Sequence, residues 1–155
     1  MNLSSRYARL DGLLATLGDR VQPMLLLVIR GWWGWSFFLT GKGKLLHLDK
    51  TAGFFASLDL PLPKLNALIA GSTECLGGLL LLLGLGSRLV SVPLIFTMGV
   101  AYATADKEAV AAIFSDPDKF TGAAPFLFLL ASLLVFAFGP GKISLDAVLF
   151  KKATK

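Results

Sequence analysis

Apolar residues are concentrated in four runs, separated by stretches rich in charge, glycine and proline. The runs cover residues 21–39, 65–83, 89–105 and 123–138. A helix needs about 17–25 predominantly apolar residues to cross a hydrocarbon core of about 30 Å. The first two runs meet this length, the third just reaches it, and the fourth reaches it when a flanking glycine is counted. The pattern therefore predicts four membrane-spanning helices.

The first twenty residues carry a different pattern. Apolar side chains recur there at steps of three and four residues, and charged side chains fall between them, which is typical of an amphipathic helix. We expect residues 3–20 to lie on the membrane surface, and packing of the same face against a soluble partner is the alternative. The apolar positions are Leu3, Tyr7, Leu10, Leu14, Leu17 and Val21, and the charged positions are Arg6, Arg9, Asp11, Asp19 and Arg20.

The connections between the runs set the topology. Residues 41–64 are predicted to form a short surface or partly re-entrant helix that ends before Pro61–Leu62–Pro63. A tight turn at Gly86–Ser87–Arg88 makes the second and third helices antiparallel neighbours. The resulting prediction is an all-α, integral membrane four-helix bundle, formed by a single domain over residues 1–155, with an N-terminal amphipathic interfacial helix.

Composition agrees with a membrane protein and argues against several other classes. Of the 155 residues, 55% are hydrophobic and 16% are charged, whereas about 25% of the residues in soluble domains are charged. The net charge of +5 comes mostly from basic residues at helix ends, where they meet lipid headgroups, so no nucleic-acid partner is expected. With one cysteine and one histidine in the chain, we expect neither a metal site nor an intrinsic cofactor.

Two charged residues interrupt the apolar runs. Arg30 and Glu74 are each the tenth of nineteen residues in the first and second run. A charge near the bilayer midplane costs about 2.5–3.5 kcal/mol, and antiparallel helices would bring these two to one depth, so an Arg30–Glu74 pair is expected. Either the pair fixes helix register, or it lines a polar site for a quinone headgroup, a proton path or a small substrate.

Further residues are placed near this pair by the helical pattern. The positions three and four residues from Glu74 are all alanine or glycine, which would let another helix approach closely. Trp33 and Phe37 share the face of Arg30, and Lys44 and His47 follow the end of the first run. No catalytic residue can be assigned from the pattern. The four residues predicted to line a pocket are Trp33, Phe37, Lys44 and His47.

Several short motifs follow one another over nearly the whole chain. The strongest is Glu74–Cys75–Leu76–Gly77–Gly78, followed by Leu83–Gly84–Leu85–Gly86–Ser87–Arg88. On these motifs the chain resembles the DoxX family of small four-helix membrane proteins, with Arg30 and Glu74 at the positions of the family's Arg and Glu. The other motifs are Arg30–Gly31, Phe37–Phe38, Gly41-x-x-Lys44, Gly53–Phe54–Phe55 and Gly139–Pro140–Gly141–Lys142–Ile143–Ser144–Leu145–Asp146.

The resemblance implies a role in membrane redox systems, because the family includes subunits of thiosulfate:quinone oxidoreductases and of complexes that handle oxidative stress. The leading hypothesis is a redox-associated membrane subunit, such as the membrane subunit of an oxidoreductase complex, that binds quinone or docks an electron-transfer partner. The alternatives are a structural or assembly protein with an architectural Arg–Glu pair, and a small-solute or proton conduit.

The expected surroundings follow from the same hypothesis. The expected partners are the lipid bilayer and either a protein of a redox complex or a second copy of the chain. The expected location is a bacterial-type plasma (inner) membrane. The side that holds the termini and Arg88 carries eight Lys and Arg residues against six on the other side. The positive-inside rule therefore predicts cytoplasmic termini.

Overall fold

The computed structural model describes residues 3–150, and all regular structure in this range is helical, as predicted. Helices α3, α4 and α7 begin and end within two residues of the predicted spans. The helices are α1 (Leu3–Leu46), α2 (Leu48–Ser57), α3 (Pro63–Leu83), α4 (Ser87–Thr104), α5 (Lys107–Ala111), α6 (Pro117–Thr121), α7 (Pro125–Phe138) and α8 (Leu145–Leu149).

The four long helices alternate in direction. Helix α3 runs antiparallel to α1, and the short turn after Leu83 makes α4 antiparallel to α3. Helix α7 is antiparallel to α4, because Tyr102 donates a hydrogen bond to the carbonyl of Phe120 at one end and Arg88 donates to that of Ala137 at the other. The prediction that the second and third apolar runs form antiparallel neighbouring helices is therefore confirmed.

Three of these helices are long and apolar enough to cross a membrane: the part of α1 from Arg6 to Leu46, α3 and α4. Helix α7 has 14 residues. At 1.5 Å per residue it is about 21 Å long, which is shorter than a hydrocarbon core of about 30 Å. That α7 crosses the membrane completely stays a prediction.

Helix α1 is much longer than the predicted first span. Its 44 residues join the predicted interfacial helix, residues 3–20, and the predicted span, residues 21–39, into one helix. Pro23 lies inside this helix, where its missing N–H removes one backbone hydrogen bond. The structure does not show residues 3–20 as a separate helix, and their position on a membrane surface stays a prediction. At the other end, α1 continues beyond residue 39 to Leu46.

Glycine residues bring α1 and α3 into backbone contact. A Cβ atom added to Gly34 would lie 2.7 Å from the backbone nitrogen of Leu82, and one added to Gly78 would lie 2.5 Å from that of Phe38. The small-residue stripe predicted around Glu74 is thus confirmed as a close contact with another helix, as is common between membrane helices. The buried residues of α3 are Ala67, Gly71, Glu74, Gly77, Gly78 and Leu81.

The apolar core lies between the four long helices. Phe37, Leu81, Leu94, Met98 and Val135 form its buried cluster. Large apolar side chains also cover the outside of the bundle, where several are more than half exposed. An outer surface of this kind suits contact with lipid rather than water.

Candidate functional site

Glu74 is the charged group in the middle of α3. Its side chain is 1% exposed, and its Oε1 accepts a hydrogen bond from Nζ of Lys44 in a salt bridge. The side chain of Lys44 is 31% exposed. It lies in the last turn of α1, next to the point where Gly41 brings α1 against α3. The salt bridge therefore joins a buried carboxylate to an ammonium group that solvent or lipid headgroups can reach.

The second oxygen of the same carboxylate has no hydrogen-bond partner within residues 3–150. Oε2 of Glu74 is buried, and it accepts no hydrogen bond from any described residue. A buried polar atom without a partner costs about 1–3 kcal/mol, and such atoms are rare in native structures. The site consequently offers a free acceptor next to an ammonium group, which can donate three hydrogen bonds.

Arg30 is not the partner of Glu74, so the expected Arg30–Glu74 pair is wrong. The guanidinium of Arg30 occupies the space beside Gly84, ten residues beyond Glu74 along the chain. Ten residues of helix correspond to about 15 Å. The physical reason is register: Gly41, rather than the midpoint of the first apolar run, packs against the part of α3 that holds Glu74, where it lies beside the backbone of Gly71 and Cys75.

Arg30 instead holds the segment that follows α7. Its side chain is 1% exposed, and Nη2 donates a hydrogen bond to the carbonyl oxygen of Ile143 at 2.5 Å. Nε and Nη1 are buried, and no described residue accepts a hydrogen bond from them. Gly84 has φ +71°, and a Cβ at this position would overlap Nη1. The α3–α4 turn therefore requires glycine both for its backbone angle and for the space that Arg30 fills.

Asp146 completes this second polar cluster. Its carboxylate accepts hydrogen bonds from the backbone N–H groups of Gly86, at 2.8 Å, and Ser87, at 3.2 Å. Its own N–H donates to the carbonyl of Gly84 at 3.0 Å. The carboxylate caps the start of α4, where the unpaired N–H groups and the helix dipole favour a negative charge.

Sequence reasoning missed Asp146. A signal was present, because Gly86 precedes α4 and has no side chain that could cap it. That signal does not identify the residue that supplies the cap, since Asp146 is 60 positions further along the chain. The cluster brings together three of the motifs on which the family resemblance rests: Arg30, the Gly84–Ser87 turn and the Ile143–Asp146 segment.

Within residues 3–150, no hydrogen bond or salt bridge joins Glu74 to the other residues predicted to line a pocket. Phe37 is fully buried, and its ring contacts that of Phe128 edge to face at 4.6 Å. Trp33 contacts the same ring at 5.1 Å. His47 is exposed, at the break between α1 and α2. Of the four, Lys44 is the residue that the fold brings to the buried carboxylate.

Two cavities open at the ends of the bundle. One, of about 530 Å³, lies among α2, α5 and α6 and is lined largely by charged side chains, including Glu108 and Lys119. The other, of about 490 Å³, lies between α1 and the segment after α7. Neither is lined by Arg30 or Glu74. In the first cavity, the hydrogen bond and charge of Lys119, 3.0 Å away, lower the pKa of Glu108.

Comparison with known proteins places this architecture in a family. The sequence pattern of the DoxX family matches residues 25–107. "Inner membrane protein YphA" of Escherichia coli (strain K12) is 34% identical over 131 residues, which cover 81% of this chain and 90% of that protein. "Putative oxidoreductase CatD" of Bacillus subtilis (strain 168) is 32% identical over 133 residues, covering 84% and 89%. No solved structure matches the chain. The chain belongs to the DoxX family, and it is a helical membrane protein.

Proposed function

We propose that this protein is a redox-associated subunit of the bacterial inner membrane that binds a quinone headgroup at Lys44 and Glu74. The observation that carries the proposal is the buried carboxylate with one free oxygen beside a partly exposed ammonium group. The names of the two relatives support this location and role, since one is called an "inner membrane protein" and the other a "putative oxidoreductase".

The chemistry of the pair matches both forms of such a ligand. A quinone presents two carbonyl oxygens, which accept hydrogen bonds, and Lys44 has donors that the single contact with Oε1 leaves free. A quinol presents hydroxyl groups, which donate, and Oε2 of Glu74 is an acceptor without a partner. A ring held between these groups would keep its apolar tail in the surrounding lipid.

Electrons would come from a partner protein. Within residues 3–150, no three His, Cys, Asp or Glu side chains come together as a metal site would require. The proposal therefore assigns this chain the binding and orientation of the headgroup, and it assigns electron transfer to a second subunit. Lys44, at the accessible end of the pair, marks the side from which such a ligand would approach.

Binding can be tested with the full chain in lipid nanodiscs. Decylubiquinone and its reduced form, decylubiquinol, would be titrated against the fluorescence of Trp32, Trp33 and Trp35, which lie on the same helix as Lys44. Losing one charge-assisted hydrogen bond should weaken binding of the quinone about tenfold in Lys44→Met and binding of the quinol about tenfold in Glu74→Gln. The matched controls are Lys42→Met and Glu108→Gln, which alter exposed side chains and should bind as the unmodified protein does. If Lys44→Met and Glu74→Gln both fold and both bind the ligands with unchanged affinity, the proposed headgroup site is ruled out.

For Arg30 the structural alternative has the better support. Its guanidinium binds a backbone carbonyl of the segment after α7 and fills the space beside Gly84. A variant of Arg30 should therefore loosen this segment without weakening quinone binding at Lys44 and Glu74. A small-solute or proton conduit stays a prediction.

A further inference from the structure

The first part of α1 has an apolar stripe that the rest of the described chain leaves uncovered. Of its eight positions, the seven from Tyr7 to Val28 have side chains that are more than half exposed. The stripe ends just before Arg30, which is level with the α3–α4 turn. It consists of Leu3, Tyr7, Leu10, Leu14, Leu17, Val21, Met24 and Val28.

The spacing of this stripe is that of a coiled coil. Its positions alternate steps of four and three residues without a break from Leu3 to Val28. That alternation has a period of 3.5 residues, and a strict repeat of this kind makes two helices wind around each other. A helix face that contacts only lipid does not require apolar residues at this strict spacing of 3.5 residues. We propose that two copies of this protein associate through a parallel coiled coil formed by residues 3–28 of α1.

The residue types favour two strands. With Leu3 at position d of the heptad, the a positions are Tyr7, Leu14, Val21 and Val28, and the d positions are Leu3, Leu10, Leu17 and Met24. Valine thus occupies position a in the second half of the stripe, and leucine occupies three of the four d positions. Valine at a with leucine at d is the combination that favours parallel dimers. Two copies inserted in the membrane with one topology also present their α1 helices in parallel.

One pair of charges beside the stripe is complementary in the same arrangement. Arg6 falls at position g and Asp11 at position e, five residues later. In a parallel coiled coil, the residue at position g of one helix faces the residue at position e of the following heptad on the other helix. Arg6 of each copy would therefore meet Asp11 of the other copy, which gives two such contacts per dimer. Neither residue takes part in a salt bridge within residues 3–150.

The bundle leaves the stripe free for a partner. The α1 residues that face the segment after α7 are Asp19, Gln22, Pro23 and Leu26. These occupy positions b, c and f, on the side of α1 opposite to a and d. The stretch from Arg6 to Arg20 also carries five charged residues, which argues against its burial in hydrocarbon. A second copy can therefore dock without displacing any contact of the first.

Cysteine cross-linking in native membranes tests the interface. In a Cys75→Ala background, Leu14→Cys or Leu17→Cys places a thiol in the proposed contact, whereas Gly12→Cys, at position f, places it in open space. Under mild oxidation the first two should give at least about fivefold more covalent dimer than Gly12→Cys, because a disulfide needs Cβ atoms roughly 4 Å apart. Equal yields at all three positions, or no dimer at any, would overturn the proposal. The absence of dimer at all three positions is the result expected if residues 3–20 lie on the membrane surface.

Charge reversal tests the parallel register. In the Leu17→Cys protein, Arg6→Asp and Asp11→Arg should each lower the cross-linked fraction about twofold, and the double variant should restore it. A double variant that cross-links no better than the single variants would overturn the parallel arrangement. These measurements do not involve Lys44 or Glu74, so their outcome is independent of quinone binding.

Discussion

Lys44 and Glu74 form a salt bridge whose two side chains lie in very different surroundings. The carboxylate is 1% exposed in the middle of α3, whereas the lysine side chain is 31% exposed at the end of α1. Losing the lysine would leave a charge buried, but losing the carboxylate charge would leave an ammonium group that can reach solvent. The two residues should therefore differ in their effect on stability.

Removing the lysine should cost more stability than neutralising the glutamate. Lys44→Met leaves an unpaired buried carboxylate and should lower the free energy of unfolding by about 3 kcal/mol, whereas Glu74→Gln should lower it by about 1 kcal/mol. Unfolding of the purified protein by SDS in mixed micelles measures both. Lys119→Met, which breaks an exposed salt bridge, is the control and should change stability little. A larger loss in Glu74→Gln than in Lys44→Met would contradict this account of the pair.

The backbone contact between α1 and α3 predicts a contrast between two nearby glycines. A Cβ at Gly41 would collide with the backbone of Cys75 and Gly71, but a Cβ at Gly43 would meet nothing within 4 Å. Gly41→Ala should destabilise the protein by about 2 kcal/mol or more. Gly43→Ala should be neutral or stabilise it by up to about 1 kcal/mol, since alanine favours the helix. The same unfolding assay applies, and equal effects would show that the helices are not in close contact.

The turn between α3 and α4 offers a second matched pair. Gly84 and Gly86 both have positive φ, +71° and +58°, so alanine should cost about 1–2 kcal/mol at either position. At Gly84 the new methyl group would also displace Arg30, while at Gly86 it would meet open space. Gly84→Ala should therefore be the more destabilising variant, by at least about 1 kcal/mol. Similar melting temperatures for the two variants would argue against the buried position of Arg30.

The cap that Asp146 provides should hold the segment after α7 in place. Asp146→Ala leaves the N–H groups of Gly86 and Ser87 without this acceptor and should cost about 1–2 kcal/mol. Limited proteolysis should cut the variant faster after α7 than it cuts the unmodified protein. Asp49→Ala removes an exposed carboxylate paired with Lys64, and it serves as the control with unchanged cleavage. Cleavage at the same rate in Asp146→Ala would mean that other contacts hold the segment.

The contact of Glu108 with Lys119 predicts a dependence on pH. The pKa of Glu108 is lowered by the hydrogen bond and charge of Lys119. The contact therefore stabilises the fold above the ordinary pKa of glutamate, about 4.3, and this contribution is lost as the pH falls through the lowered value. The chain has two glutamates, so side-chain NMR of protein labelled at glutamate can follow Glu108. Lys119→Met should raise its pKa, and an unchanged value would contradict the contact.

Local patterns in the sequence determined the helices and one of their contact faces. Runs of apolar residues, and the prolines and glycines that end them, predict α3, α4 and α7 within two residues, because helix formation depends mainly on neighbours three and four positions away. The small residues around Glu74 likewise predict a close helix contact, which α1 provides. The sequence also predicts that residues 3–20 are helical, but it does not predict that they form one continuous helix with the first span.

Tertiary structure decided which charged groups meet. The sequence shows that Arg30 and Glu74 each need a partner, but the choice depends on the register of α1 against α3. Glycine contacts set that register, and it places Gly41 rather than Arg30 against the turn of α3 that contains Glu74. Arg30 donates a hydrogen bond to the carbonyl of Ile143, 113 positions away, and Asp146 caps the start of α4. Such partners are far apart in the chain, and packing rather than local periodicity brings them together.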